Sequence, residues 1–149
     1  MINSISVKTR FGWISAFEKK DKIFKVKFGK CENKSISKNL KKFKISLTAF
    51  LSGRNKSIKS NLLIEGNFMQ KKVWHELKNI KFGKTKSYGE IAKKYKLSPR
   101  HIGKICSQNK LLLIIPCHRV IRTDGSLGGF TSSGGVKLKK KLLDFERSW

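Results

Sequence analysis

A cysteine and a histidine stand side by side in Ile115-Pro-Cys-His-Arg-Val-Ile121. A thiol is a strong nucleophile only as its thiolate, and a nearby imidazole can lower its pKa or take its proton. The run Leu111–Ile115 ahead of the pair is wholly apolar and reads as a buried strand or core segment, which Pro116 interrupts. Neighbours in an extended strand point to opposite sides. On Cys117 and His118 alone, the plainer reading is a small buried thiol beside a hydrogen-bonded histidine. The chain has two further cysteines, Cys31 and Cys106, and two further histidines, His75 and His101, with no CxxC spacing. A zinc site needs about four ligands, so no metal site is expected. An odd, sparse set of cysteines is no disulfide framework and suits a reducing compartment.

These residues sit in a strongly cationic chain. Among 149 residues there are 35 Lys and Arg against 9 Asp and Glu, for a net charge of +26. The excess lies in both halves, so it belongs to the folded body and not to a tail. Such a surface attracts polyanions, and nucleic acid is the first partner to consider. No apolar run approaches the ~20 residues of a membrane helix, so no membrane partner is expected. The segment Met1–Ser6 lacks the basic stretch and apolar core of a secretion signal, and a cytoplasmic location is expected.

The elements that must carry the pair fall into two groups, expected as domains 1–60 and 61–149. In the first, Ile5–Thr9, Trp13–Phe17 and Ile23–Phe28 are short runs rich in β-branched and aromatic residues, spaced as an antiparallel meander. Leu47, Phe50 and Leu51 mark a helix, and Gly53–Asn61 reads as a linker. In the second, Asn67 with Gln70 forms a capping box ahead of the stripe Met69, Val73, Trp74, Leu77 and Ile80. Ser87 caps a helix carrying Tyr88, Ile91, Ala92 and Tyr95. Ser98-Pro99 starts another whose inner face is Ile102, Ile105 and Cys106. Two short helices joined by a tight turn form a helix-turn-helix pattern. The last helix follows Gly134-Gly135, with Leu138, Leu142 and Phe145 inward and Lys137, Lys140 and Lys141 outward. The fold class expected is α+β.

Ile115-Pro-Cys-His-Arg-Val-Ile121 resembles the active-site signature of the methylated-DNA–protein cysteine methyltransferases, the alkylguanine-DNA alkyltransferases. Ser87-Tyr-Gly-Glu-Ile-Ala92 is similar to the first helix of that family's helix-turn-helix, and Arg100 with Ile102-Gly103 resembles its recognition helix. Asn109, Gly125, Gly128, Gly134-Gly135, Lys139, Leu142-Leu143 and Glu146 continue the pattern, so that residues 64–147 are covered. The resemblance implies a ribonuclease-H-like N-terminal part. It also implies irreversible, stoichiometric transfer of an alkyl group from the 6-oxygen of guanine in DNA to Cys117, without a cofactor and as a monomer. His118 would act as base through a water, with Glu146 orienting it, Tyr88 meeting the departing base and Asn109 bracing the turn. The partner implied is double-stranded DNA, entered from the minor groove with the damaged base flipped. Arg100, Ser98, Gly103, Lys104, Ser107 and Arg119 would face that DNA. Gly128, Thr131, Ser132, Ser133 and Lys139 would form the substrate pocket, Ser132 supplying the family's serine. Phe130 stands where the family commonly has Tyr, and His101 where Ala is usual.

Each of these residues has a simpler explanation from the sequence alone. Glu146 reads as a solvated helix-end charge, Tyr88 as a core aromatic, Asn109 as a helix C-cap and Arg100 as an ordinary phosphate contact. A basic helix-turn-helix binder without catalysis accounts for the charge but gives Pro116-Cys117-His118 no purpose. A Cys-His hydrolase accounts for that trio but not for the basic helix.

Overall fold

A computed structural model describes residues 1–130 and 134–149 of the chain. They form two compact units, Met1–Glu65 with Lys110–Ile114, and Gly66–Asn109 with Ile115–Trp149. The sequence places a single boundary after residue 60. The first unit instead runs to Glu65 and takes back the short segment Lys110–Ile114. The class is α+β, with one three-stranded antiparallel sheet and five α-helices among the described residues.

In the first unit, β1 (Asn3–Thr9), β2 (Gly12–Lys19) and β3 (Lys22–Phe28) form a meander in the order β1-β2-β3. Lys20 and Asp21, with φ of 51° and 59°, make the two-residue connection from β2 to β3. Positive φ at both positions matches the right-handed twist of the paired strands. The helix α1 (Lys38–Leu51) packs on β1 and β3. Its Leu40, Phe43, Leu47 and Phe50 recur at helical spacing and are buried. Ser37 caps α1, its Oγ accepting from Leu40 N at 3.1 Å and donating to the buried Glu18 at 2.8 Å. The apolar run Leu111–Ile115 is not a strand. Leu111 bridges to Val26, and Leu113 turns the chain with a φ of 69°.

The second unit contains α2 (Phe68–Lys78), α3 (Tyr88–Tyr95), α4 (Pro99–Ser107) and α5 (Gly135–Arg147), with a parallel pair of two-residue strands, β4 (Lys86–Ser87) and β5 (Val120–Ile121). Each local start signal has a physical counterpart. Asn67 and Gln70 close a capping box on α2, Ser87 Oγ accepts from Glu90 N at 3.0 Å, and Ser98 Oγ accepts from His101 N at 3.1 Å. Trp74 of α2 donates its indole N–H to Ile105 O of α4 at 3.0 Å, which fixes the two helices together through a buried bond. The short pair β4–β5 has no periodicity long enough to be read from sequence. It sets Tyr88, directly after β4, beside the chain leaving Cys117.

One buried charge outside the site braces α2 against α3. Glu76 accepts from Lys86 at 3.0 Å, Lys94 at 2.7 Å and Tyr95 at 3.1 Å. Lys94 and Lys86 hold its carboxyl at about 2, against the opposing pull of burial. A group whose folded pKa is depressed contributes stability above its unfolded pKa, and that contribution fades as pH falls through the folded value. Glu76→Gln should therefore destabilise most at neutral pH, and the gap from wild type should close between pH 4.5 and about 2, as urea melts at each pH will read. Lys96, which ends α3, sits in the left-handed region at φ 56°. Glycine lacks the Cβ penalty there, so Lys96→Gly should raise stability by about 0.5–1 kcal/mol in the same melts after its own unfolded-state entropy cost.

Candidate active site

Cys117 opens a single 3₁₀ turn, Cys117–Arg119, between Pro116 and β5. Its amide donates to Ile115 O at 2.8 Å, and Asn109 Nδ2 donates to the same carbonyl at 2.9 Å. Asn109 follows α4, so its amide ties that helix to the turn carrying the thiol. Cys117 is buried, and burial pushes its pKa up, opposed by Asn109 and by the charge of Lys139. The resting form at neutral pH is the thiol.

His118 follows, fully buried, with Nε2 2.7 Å from Glu146 Oε2. Glu146 is buried too, and burial alone would raise its pKa. His118 and Arg119 outweigh that and hold it at about 2. Arg119 donates Nε to Oε1 at 2.7 Å and Nη2 to Oε2 at 3.0 Å, a paired fork, while Nη1 donates to Ile80 O at 2.7 Å. Glu146 is thus an anion and only an acceptor, so His118 Nε2 carries the proton. Burial lowers the pKa of His118 despite Glu146, leaving the ring neutral. A neutral ring protonated at Nε2 has its lone pair on Nδ1, and Nδ1 is buried without a hydrogen-bond partner among the described residues. The arrangement is a base held in one tautomer by a carboxylate, as in hydrolytic triads.

A cavity of about 730 Å³ adjoins the thiol, lined by Cys117, Tyr88, residues of α4 and the segment after β5. Its size lies within the range of small-molecule sites. Tyr88 is pushed up to about 12, chiefly by burial, so the phenol stays protonated. Lys139 Nζ donates to Tyr88 Oη at 3.3 Å, to Val120 O at 2.6 Å and to Gly129 O at 3.2 Å. Burial pulls this ammonium down to about 8. With a phenol lone pair taken by Lys139, the Tyr88 O–H is free to donate elsewhere. Gly128, at φ 73°, is required here, since a Cβ would lie 3.0 Å from the Tyr88 ring.

The structure brings Cys117, His118, Glu146, Tyr88 and Asn109 into one neighbourhood, as the sequence pattern anticipates. Arg100, Gly103, Ser107 and Gly128 line the cavity. Lys104 is exposed on α4 away from the lining, and Ser98 serves as the α4 cap. Two expectations need correction. Arg119, expected to face DNA, is buried and spends its guanidinium on Glu146 and Ile80. Lys139, expected in the substrate pocket, is fully buried behind Tyr88 and does not line the cavity. Thr131, Ser132 and Ser133 lie outside the described residues. Sequence reasoning missed Arg122, Thr123 and Pro99 as lining residues, and it placed Cys106 on the buried face alone although that thiol borders the cavity. Gly89 leaves room for Thr123, because a Cβ there would meet Thr123 Oγ1 at 2.7 Å.

A family model for the 6-O-methylguanine DNA methyltransferase DNA binding domain matches residues 68–148. The methylated-DNA–protein-cysteine methyltransferase of Metallosphaera sedula is 34% identical over 151 residues, which cover 99% of this chain and 95% of its own. That of Sulfolobus acidocaldarius is 51% identical over 80 residues, 54% of this chain and only half its own length. The crystal structure of the Mycobacterium tuberculosis O6-methylguanine methyltransferase superposes with a TM-score of 0.87 at 26% identity, covering 99% of this chain and 94% of that one. The Mycobacterium tuberculosis OGT in complex with DNA gives 0.84 at 27% identity, over 97% and 92% of the two chains. With a family model spanning more than half its length and a relative aligned end to end, this chain belongs to the methylated-DNA–protein-cysteine methyltransferase family.

Proposed function

We propose that this chain repairs DNA by moving the alkyl group of a 6-O-alkylguanine onto Cys117, once per molecule. The observation that carries the reading is a nucleophile and its base in one frame. Cys117 borders a cavity of about 730 Å³, ample for a purine, and the neighbouring His118 is neutral with Nδ1 unprotonated. The thiol proton passes to Nδ1 through a water, the sulfur attacks the alkyl carbon, and the carbon–oxygen bond breaks. The leaving guanine receives a hydrogen bond or proton from Tyr88. The product is a thioether, which water does not cleave, so the site is spent.

A base stacked in duplex cannot reach a buried sulfur and must be flipped, at a cost of a few kcal/mol. We read α3 and α4, joined by Lys96–Ser98, as a helix-turn-helix that meets the minor groove, where degenerate readout suits damage in any sequence. Arg100, exposed at the start of α4 and at the edge of the cavity, fills the space that the base leaves. The +26 charge and the DNA complex of the mycobacterial relative support double-stranded DNA as partner. The first unit, a meander crossed by one helix, is read as ribonuclease-H-like. One molecule suffices for the reaction, and a cytoplasmic monomer is proposed.

Incubation with a duplex containing one 6-O-methylguanine should add a single methyl group to the intact mass, retained on Cys117 in peptide maps. Cys117→Ser should add none while still binding duplex. Continuous turnover without a retained group would point to a hydrolase, and tight binding with no transfer to a non-catalytic binder.

The pH dependence follows from the same geometry. Burial holds the His118 pKa below its usual 6.5, so the base stays unprotonated down to that pH and is lost only as pH falls further. The single-turnover rate should therefore be flat from pH 8 to 6.5 and drop below it. A rate rising about tenfold per pH unit over that window would mean that Cys117 ionises to solvent before reacting, and His118 would have no such role.

A further inference from the structure

Two arginines follow Cys117 in close succession, and the fold uses them differently. Arg119 is buried, with a hydrogen bond from each of its three guanidinium nitrogens. Arg122 is exposed, borders the cavity, and among the described residues its guanidinium has no hydrogen-bond partner. Its placement is built. The parallel pairing of Ser87 with Ile121 puts Tyr88 and Arg122 at the same end of the β4–β5 ladder. The backbone of Arg122 is clamped in a turn, its N–H donating to Ser126 O at 2.8 Å and its carbonyl accepting from Gly125 N at 2.9 Å. Asp124 stabilises that turn by accepting from the Ser126 amide at 2.9 Å and hydroxyl at 2.7 Å; it attracts Arg122 through charge but makes no ion pair with it. The Arg122 stem and the Tyr88 ring flank Gly128: a Cβ there would lie 3.6 Å from Arg122 Cγ and 3.0 Å from the ring.

A purine inside the cavity stays tethered to its strand, so the sugar-phosphate must cross the cavity rim. A planar guanidinium with five donors matches a phosphate and is less strongly hydrated than an ammonium, which favours it at such a contact. We propose that Arg122 binds a phosphate flanking the flipped nucleotide and so holds the extruded base in the cavity. This rests on the alkyl-transfer reading above. Arg122 touches the DNA backbone and not the reacting atoms, which makes it a positioning residue for the transfer.

The test uses the whole chain and duplexes carrying one 6-O-methylguanine. In two of them a neutral methylphosphonate replaces either the 5′ or the 3′ phosphate of that nucleotide. Transfer rates at subsaturating protein are compared for wild type, Arg122→Gln and Arg122→Lys. One of the two replacements should slow wild type about tenfold, as expected for the loss of a charge-assisted hydrogen bond. Arg122→Gln should be slowed similarly on the unmodified duplex, the same replacement should then add less than twofold, and Arg122→Lys should fall between. Independent, multiplying effects at both phosphates would overturn the proposal. So would a wild type indifferent to both replacements, which needs no variant to fold. A wild type that takes no methyl group from any duplex would instead sink the alkyl-transfer reading itself.

Discussion

The carboxylate of Glu146 is where the second unit resolves its hardest electrostatic problem. An ion taken out of water costs several kcal/mol unless its charge and its hydrogen bonds are both answered. Glu146 is answered by the fork of Arg119 and by the ring N–H of His118. Arg119 in turn closes on Ile80 O just beyond α2. One side chain near the end of α5 therefore fastens the 3₁₀ turn and the chain leaving α2 to the last helix. The same contact decides the chemistry. Burial keeps His118 neutral, the charge of Arg119 pushes the same way, and the Glu146 carboxylate fixes the tautomer with Nδ1 as the lone-pair nitrogen.

The other side of the cavity hangs from the same helix. Lys139 and Glu146 lie seven residues apart on α5, on one buried stripe with Leu142 and Leu143. Lys139 acts on Tyr88 and the Val120 carbonyl, and Glu146 acts on the turn that carries Cys117 and His118. Both ends of the reaction as proposed, proton removal from sulfur and hydrogen-bond donation to the leaving base, are thus oriented by one rigid element. The β4–β5 pair adds the cross-link that keeps Tyr88 in register with the chain after the turn.

What was legible in the sequence was local. Ser37 apart, the helix caps were visible as residue types, and Asn67 with Gln70, Ser87 and Ser98 all make the bonds their positions suggest. The alternating runs of β1 to β3 were visible for the same reason. Long-range pairing was not. Nothing near Arg119 shows that its partner lies 27 residues on, so the DNA contact that the resemblance implies for it has no local signal against it. Lys139 could have been found, because a lysine on the i, i+4, i+7 stripe with Leu143 and Glu146 breaks the apolar face of α5. The run Leu111–Ile115 misled in its shape: a positive φ at Leu113 and the Asn109 bond to Ile115 bend it into a turn, which no apolar periodicity encodes.

The raised pKa of Cys117 looks at first opposed to nucleophilic chemistry. A thiol activated by an electropositive pocket would be a thiolate at rest, open to oxidants and to any small alkylating agent. For the single-use transfer proposed above, such idle reactivity at Cys117 would be ruinous. Burial in this site keeps the proton on sulfur. The base that can take it is a buried neutral imidazole. Proton transfer from thiol to imidazole creates two opposite charges in a poorly solvated pocket, which is uphill until the sulfur begins to bond to carbon and its charge passes to the departing guanine. Tyr88, kept protonated and held by Lys139, is the donor that the proposed reaction places where that charge arrives. The site thus holds its nucleophile inert and couples its activation to the presence of a leaving group, which free ionisation of the thiol would not do.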